Sequence, residues 1–266
     1  MSEAISACSG DVVAFLEDDD IMADDRISEI FYTFSDNNVV FFKNSVVPFI
    51  DFDSLDIESI RKQNDRKGTE TITKRDKDLP DLILRGSEFN ISSMAVRKCI
   101  FNDSLNKLAE FNYKVDNFIF YQAICTRGKI AITEKKLTYY RLHPSASHIV
   151  INSPDYLGER IKMYLNLAVE SEKLTRAFID TNLKAYLECR QLEQFILIKV
   201  LTNRERDETF SFLAKCIACS IRIRRRFFSL ILALNFIGIF SPGLAMQLYV
   251  AFEKRKETRM QLKEKR

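Results

Sequence analysis

"GDVVAFLEDDD", residues 10–20, sets a short apolar run directly against four consecutive carboxylates, Glu17, Asp18, Asp19 and Asp20. Val12 to Leu16 reads as a short buried strand. A strand that ends in carboxylates, inside an α/β layer, places them where ligands bind in such folds. Carboxylates this close repel one another. A divalent cation relieves the repulsion, and hard oxygen donors suit Mg2+ or Mn2+. The plainer reading is a solvated acidic loop that caps the following helix. The apolar strand directly before the acids weighs against it.

Reading outward, "MADDRISEIFYTFSD" (22–36) follows with Ile27, Ile30, Phe31 and Phe34 at i, i+3, i+4, i+7, one helical face, and with Asp24 or Asp25 placed to cap its start. "NVVFFK" and "SVVPFI" read as two strands, Pro48 confining the second to an edge. Residues 53 to 81 are polar and charged and read as a long loop. "FNISSMAVRK" reads as a strand. "VDNFIFYQAICTRG" reads as a short helix with Asp116 near its start and Gly128 as its stop. "KIAIT" and "KLTYYR" read as two strands around a polar turn, followed by the loop "RLHPSASH". After "NSPD" the pattern is helical, over roughly 155–204, then 207–225, then an apolar run to 252. Strands mix with helices before residue 150 and helices alone follow it. The expected fold class is therefore α/β, with a sheet-containing domain over 1–150 and an all-helical region over 151–266.

Composition sets bounds on this plan. With 46% hydrophobic and 29% charged residues, the chain can bury a core and is not broadly disordered. Net charge is +3, yet Ile221 to Arg266 holds eleven Lys/Arg against three Glu, leaving the rest of the chain at about −5. An acidic body with a basic tail points to a tail that meets a surface. No nucleic-acid motif is present and few aromatics interleave the basic residues, so nucleic acid is not the expected partner. The segment 227–252 has no charged residue but is interrupted by Ser241-Pro242-Gly243 and flanked by basic clusters. It is expected to lie in a membrane interface rather than span it, the alternative being a buried helical hairpin. The first twenty residues are acidic and the six cysteines scattered, which fits reduced thiols in a cytoplasmic protein. Cys216 and Cys219 form a lone CxxC without the partners a zinc site needs.

"SGDVVAFLEDDD" followed by "RISEIFYTF" resembles the central segment of family 2 glycosyltransferases, of the GT-A fold, where a strand ends in a DxD-type motif. The resemblance places that motif on Glu17 and Asp19, with Asp20 adjacent; Glu17 stands where the family usually has Asp. "NISSMAVRK" looks like the family's acceptor-side strand. "VDNFIFYQAICTRGKI" is similar to the segment in which an acid opens a helix ending in Gly, and Asp116 matches the catalytic base. The family usually has Glu-Asp there, and here Val115 precedes Asp116. "LTYYRLHPSASH" resembles the closing element in which Arg141 and His143 approach the diphosphate or metal. Together these elements cover roughly residues 2–148.

The resemblance implies a partial GT-A, Rossmann-like mixed sheet. It implies an inverting transferase that moves a sugar from a nucleotide-diphosphate donor to a glycan or lipid-linked acceptor, with Mn2+ or Mg2+ held by Asp19, Glu17 and Asp20. A basic, apolar tail suits an enzyme peripheral to the inner face of the cell membrane. The family's first strands, which hold the donor's base and ribose, have no counterpart before Met1. The sheet is therefore expected to show an apolar edge, and the chain to be weakly active or inactive unless a partner chain carries that half. The alternative is a non-catalytic remnant, or half of a split enzyme, serving as a membrane-docking module.

Overall fold

The structure, a computed structural model, describes residues 1–73, 82–83, 85–142, 155–179, 181, 183–202, 214, 217–218, 230, 233–234, 236–238 and 240–264. The chain is mixed α/β and divides into two compact units, Met1–His143 and Pro144–Arg266. The first holds a six-stranded sheet of β1 (Val12–Ala14), β2 (Ile21–Met22), β3 (Val39–Phe49), β4 (Thr69–Thr73), β5 (Met94–Arg97) and β6 (Lys129–Arg141). Their order is β1-β5-β3-β6-β2, with β4 also on β6. β3 and β6 pair in parallel, and every other pairing is antiparallel. β1, β3 and β6 thus run the same way. β1 stands at the end of that order and, among the described residues, pairs with β5 alone.

The centre of the sheet is buried on both faces, and β3 shows why. Val39 through Asn44 are all buried, as in a strand covered on both sides. Phe41 packs edge-on against Phe120 of the Val115–Cys125 helix, ring centroids 5.6 Å apart. Phe42, its neighbour, joins Ile30, Phe34 and Ile60 on the opposite face. Successive strand residues point to opposite faces, so one Phe–Phe pair in sequence ties both layers.

Several expected elements differ in detail. The two strands at 38–50 are one, β3, and Pro48 is accommodated because β5 meets β3 at Phe41, Phe42 and Lys43, so that among the described residues Pro48 has a strand partner, Tyr140, on one side alone. The two strands at 129–141 are also one, β6. Their polar turn is an irregularity in the ladder, where Asn44 pairs with Thr133 but Ser45 with Lys136. The expected loop at 53–81 holds a helix, Ile57–Asn64, capped by Asp56 through the Ser59 N–H at 3.0 Å, and then β4.

Helix Arg26–Phe34 turns a different face inward. Arg26, Ile30 and Phe34 are buried, at i, i+4, i+8, while Ile27 and Phe31 face solvent. Asp25 occupies its N-cap position without a side-chain capping bond. Gly128 lies beyond the Val115–Cys125 helix, with φ +141° and a Cβ position only 2.6 Å from the Asn38 carbonyl, so it serves the entry to β6.

In the second unit the helical stretch at 155–204 is two helices, Tyr156–Ala177 and Lys184–Thr202. A third runs over Pro242–Glu264. The break expected at Ser241-Pro242-Gly243 is small, because Ser241 N–H reaches the Ile237 carbonyl at 2.9 Å and Ala245 N–H the Ser241 carbonyl at 3.1 Å. Proline removes one helical donor, but the turns on either side close. Cys189, expected as a reduced thiol, is disulfide-bonded. Cys216 and Cys219 lie outside the described residues, as does most of 207–225.

Arg26 is fully buried in the first unit. Its guanidinium donates to the carbonyl of Phe15, the carbonyl of Met94 and Oδ1 of Asn44, each at 3.1 Å. These acceptors belong to the end of β1, the start of β5 and the middle of β3. A planar fork of donors fits three fixed oxygens better than any other side chain. Arg26→Met should leave the Phe15 carbonyl and Asn44 Oδ1 unsatisfied, while the Met94 carbonyl keeps the Phe15 N–H, and cost about 3 kcal/mol or more in urea unfolding. A loss under about 1 kcal/mol would show that the tie is dispensable.

Candidate active site at the carboxylate cluster

The chain leaves β1 through Phe15, whose N–H still bonds to the Met94 carbonyl at 3.1 Å, and then turns into the acidic loop. Glu17 N–H is caught by the Ser92 hydroxyl at 2.9 Å. Ser92 lies in a 3-10 turn, Ile91–Ser93, and its carbonyl accepts from Thr138 of β6 at 3.2 Å. Thr138 in turn accepts from Asn44 Nδ2 at 3.0 Å, and Asn44 Oδ1 holds Arg26. One continuous hydrogen-bonded chain therefore fixes where the acids emerge.

Asp20 is the anchored acid. It is buried, and its Oδ1 accepts the Arg141 backbone N–H at 2.9 Å. Its Oδ2 is buried with no hydrogen-bond partner. Arg26 lies near enough for the Asp20 charge to oppose the burial that lowers the guanidinium to about 10. Glu17 is held above the usual carboxylate range, by burial first and then by Asp20, Asp19, Asp116 and Asp18. Asp19 is half-buried beside them.

Asp116 comes from far along the chain to the same place. It lies in the first turn of its helix, entered through Lys114 at φ +57°. Its Oδ1 accepts the Asn117 N–H at 2.8 Å and its Oδ2 the Asn90 N–H at 3.2 Å. Asn90 itself sits at φ +64°, buried, with both side-chain polar atoms unpartnered. Burial pushes the Asp116 carboxyl up to about 6, with Glu88 adding to the rise, while the two N–H bonds and Lys43 pull it down.

Lys43 lies beneath. Its buried ammonium donates to the Phe89 carbonyl at 2.6 Å, to the Asn90 carbonyl at 3.4 Å and to the Ser93 hydroxyl. It thereby braces the turn that aims Asn90 N–H at Asp116. Burial lowers Lys43 to about 7, Asp116 resists the fall and Arg26 adds to it. Tyr140 completes the wall. Its phenol is raised by burial and then by Asp20, Glu17, Asp19 and Asp116 together, and its ring meets exposed Phe89 at 6.0 Å.

The structure thus gathers Glu17, Asp19, Asp20 and Asp116, which lie about a hundred residues apart in the chain. Arg141 arrives through its backbone, its side chain exposed. His143 lies outside the described residues. Sequence reasoning put Asp19 first, whereas burial and an orphaned oxygen single out Asp20. It missed Arg26, Lys43, Asn90 and Tyr140. A signal for the first two existed: a cation on the buried phase of a helix or strand needs partners. Among the described residues no group of three or more His, Cys, Asp or Glu side chains is arranged to hold a metal ion. The donor chemistry still fits a hard divalent cation, through one unpartnered buried carboxylate oxygen beside mutually repelling acids.

In comparisons with known proteins, no family model and no curated protein matches the chain.

Asp116 and Lys43 shape stability against pH. Asp116 binds its proton more tightly folded than unfolded, so it lowers stability as pH rises from its ordinary 3.8 through about 6. Lys43 gives up its proton at about 7 when folded but keeps it to its ordinary 10.5 when unfolded, so it raises stability across that window. Urea unfolding should show stability climbing between about pH 7 and pH 9, and Lys43→Met should flatten the climb. An equal climb in the variant would refute the assignment.

Proposed function

We propose that the first unit is an inverting, metal-assisted glycosyltransferase of the GT-A type, acting on a nucleotide-diphosphate sugar and a glycan or lipid-linked acceptor. The observation that carries it is Asp116, a carboxyl tuned to about 6, in electrostatic contact with the acidic loop at the end of β1. A base with that pKa is ionised at neutral pH yet basic enough to take a hydroxyl proton as the bond forms.

Asp20, with Glu17 and Asp19, would hold Mn2+ or Mg2+, whose charge would balance the donor diphosphate. Asp116 accepts the proton of the acceptor hydroxyl. The hydroxyl oxygen bonds to the anomeric carbon from the face opposite the diphosphate. The carbon–oxygen bond to the diphosphate breaks, and the nucleotide leaves with the electron pair. Arg141 and His143 are the residues proposed to meet its negative charge. Phe89 and Tyr140 offer aromatic faces beside the reacting centre. The acceptor is proposed to be presented at the cytoplasmic face of a membrane, in keeping with the basic tail.

A second reading is a binding module without transfer, with or without a partner chain that completes the sheet. The cations built in under the acids, Arg26 near Asp20 and Lys43 near Asp116, favour it, because part of the repulsion is already offset. Transfer assays separate the two. With labelled nucleotide-sugars and a lipid extract as acceptor, kcat/KM should rise through about pH 6 and level off above it. Asp116→Asn should lower kcat by about a hundredfold or more. Transfer that survives unchanged in Asp116→Asn would remove the base assignment, and absence of transfer with every donor would favour the binding module.

A further inference from the structure

The helical stretch of the second unit that ends in Pro242–Glu264 has two unlike faces. One packs into the unit's core, where Leu234, Ala245 and Tyr249 are buried with Ile196, Leu197 and Val200. The other shows Phe236, Phe240, Leu244 and Leu248 to solvent, Phe240 at 78% exposure. Their spacing is i, i+4, i+8, i+12, which sets side chains in one row along a helix. The hydrogen bonds across Ser241 keep the row continuous, and the Phe236 and Phe240 rings meet edge-on at 5.6 Å. Gln247 is the polar residue exposed within this row.

Charge continues the pattern. One turn beyond Leu248 and Ala251 the exposed residues are Lys254 and Arg255, on the same side of the helix as the row. The acid in that turn, Glu253, points the other way. It is buried and paired with Arg160 at 2.8 Å. Upstream of the row the sequence carries Arg222, Arg224, Arg225 and Arg226 with no acid among them. An apolar row with its cations outward and its acid inward matches a surface that is apolar below and anionic above. Protein partners do not demand that combination, whereas a bilayer interface with anionic headgroups does. Among the described residues no helix is long and apolar enough to cross a membrane.

We infer that Phe236, Phe240, Leu244 and Leu248, with Lys254 and Arg255, form a docking surface that lies flat in the interface of an anionic membrane. The inference deepens the membrane contact proposed above, and its test does not depend on transfer. The full chain is mixed with vesicles of phosphatidylglycerol and phosphatidylcholine, and with vesicles of phosphatidylcholine alone, and sedimented. The wild type should partition onto the anionic vesicles and bind the neutral ones weakly, with added salt loosening it. Phe240→Glu/Leu244→Glu should weaken partition by about tenfold or more. Phe31→Ser, which removes an exposed aromatic from the first unit, should change nothing. Circular dichroism checks that each variant folds, and Lys254→Ala/Arg255→Ala, which leaves the apolar row intact, should weaken binding to anionic vesicles alone. Wild-type binding that persists in Phe240→Glu/Leu244→Glu would move the contact elsewhere on the chain and overturn the inference. A wild type that ignores anionic vesicles but self-associates through this row would overturn it in favour of a second copy. Neither outcome bears on nucleotide binding, so the transferase reading stands or falls separately.

Discussion

A single buried guanidinium organises the first unit. Arg26 spends its hydrogen bonds on two backbone carbonyls and one amide oxygen from three strands. Removing it from water is costly, and burial lowers its pKa to about 10 as a result. The cost is offset because the Phe15 carbonyl and the Asn44 amide oxygen would otherwise be buried orphans. From that node the network runs through Asn44 and Thr138 to Ser92, and from Ser92 to the amide of Glu17. The position of the acidic loop therefore follows from the core, and the Asp20 carboxylate adds a second anchor at the Arg141 N–H.

Electrostatics follow from the same placement. Two buried cations, Arg26 and Lys43, sit under four carboxylates that crowd one another. Neither layer would be tolerable alone in a low dielectric. Burial first, and these neighbours after it, hold Asp116 near 6 and Lys43 near 7, values at which small changes in bound charge change protonation. Under the proposed function, a site poised this way would take a ligand that brings both negative phosphate charge and a cation, and Asp116 would act as its base.

Much of this was legible in the residues. The run "VVAFLEDDD" marks a strand meeting its acids, and Asp116 stands at a helix start as expected. The α/β character and the helical second half follow from periodicity. What could not be read is instructive. Periodicity put Ile27 and Phe31 inside with Ile30 and Phe34, but the helix turns so that Arg26 takes the buried place, because three oxygens await it there. Lys43 closes the run "NVVFFK", and its ammonium is held by Phe89, Asn90 and Ser93, distant in sequence. The irregularity that lets β6 run unbroken through Glu134 and Lys135 is a matter of register with β3, which local sequence does not encode. Partners remote in sequence decided each of these.

We propose that the acidic loop and Asp116 form one donor-binding site. Calorimetric titration of the whole chain with UDP and with GDP, with and without Mn2+, tests it most directly, with Asp20→Ala and Asp19→Ala as controls. One of the nucleotides should bind only with Mn2+, and Asp20→Ala should abolish that binding while the fold, checked by circular dichroism, persists. Binding that needs no metal, or that survives Asp20→Ala unchanged, would contradict it.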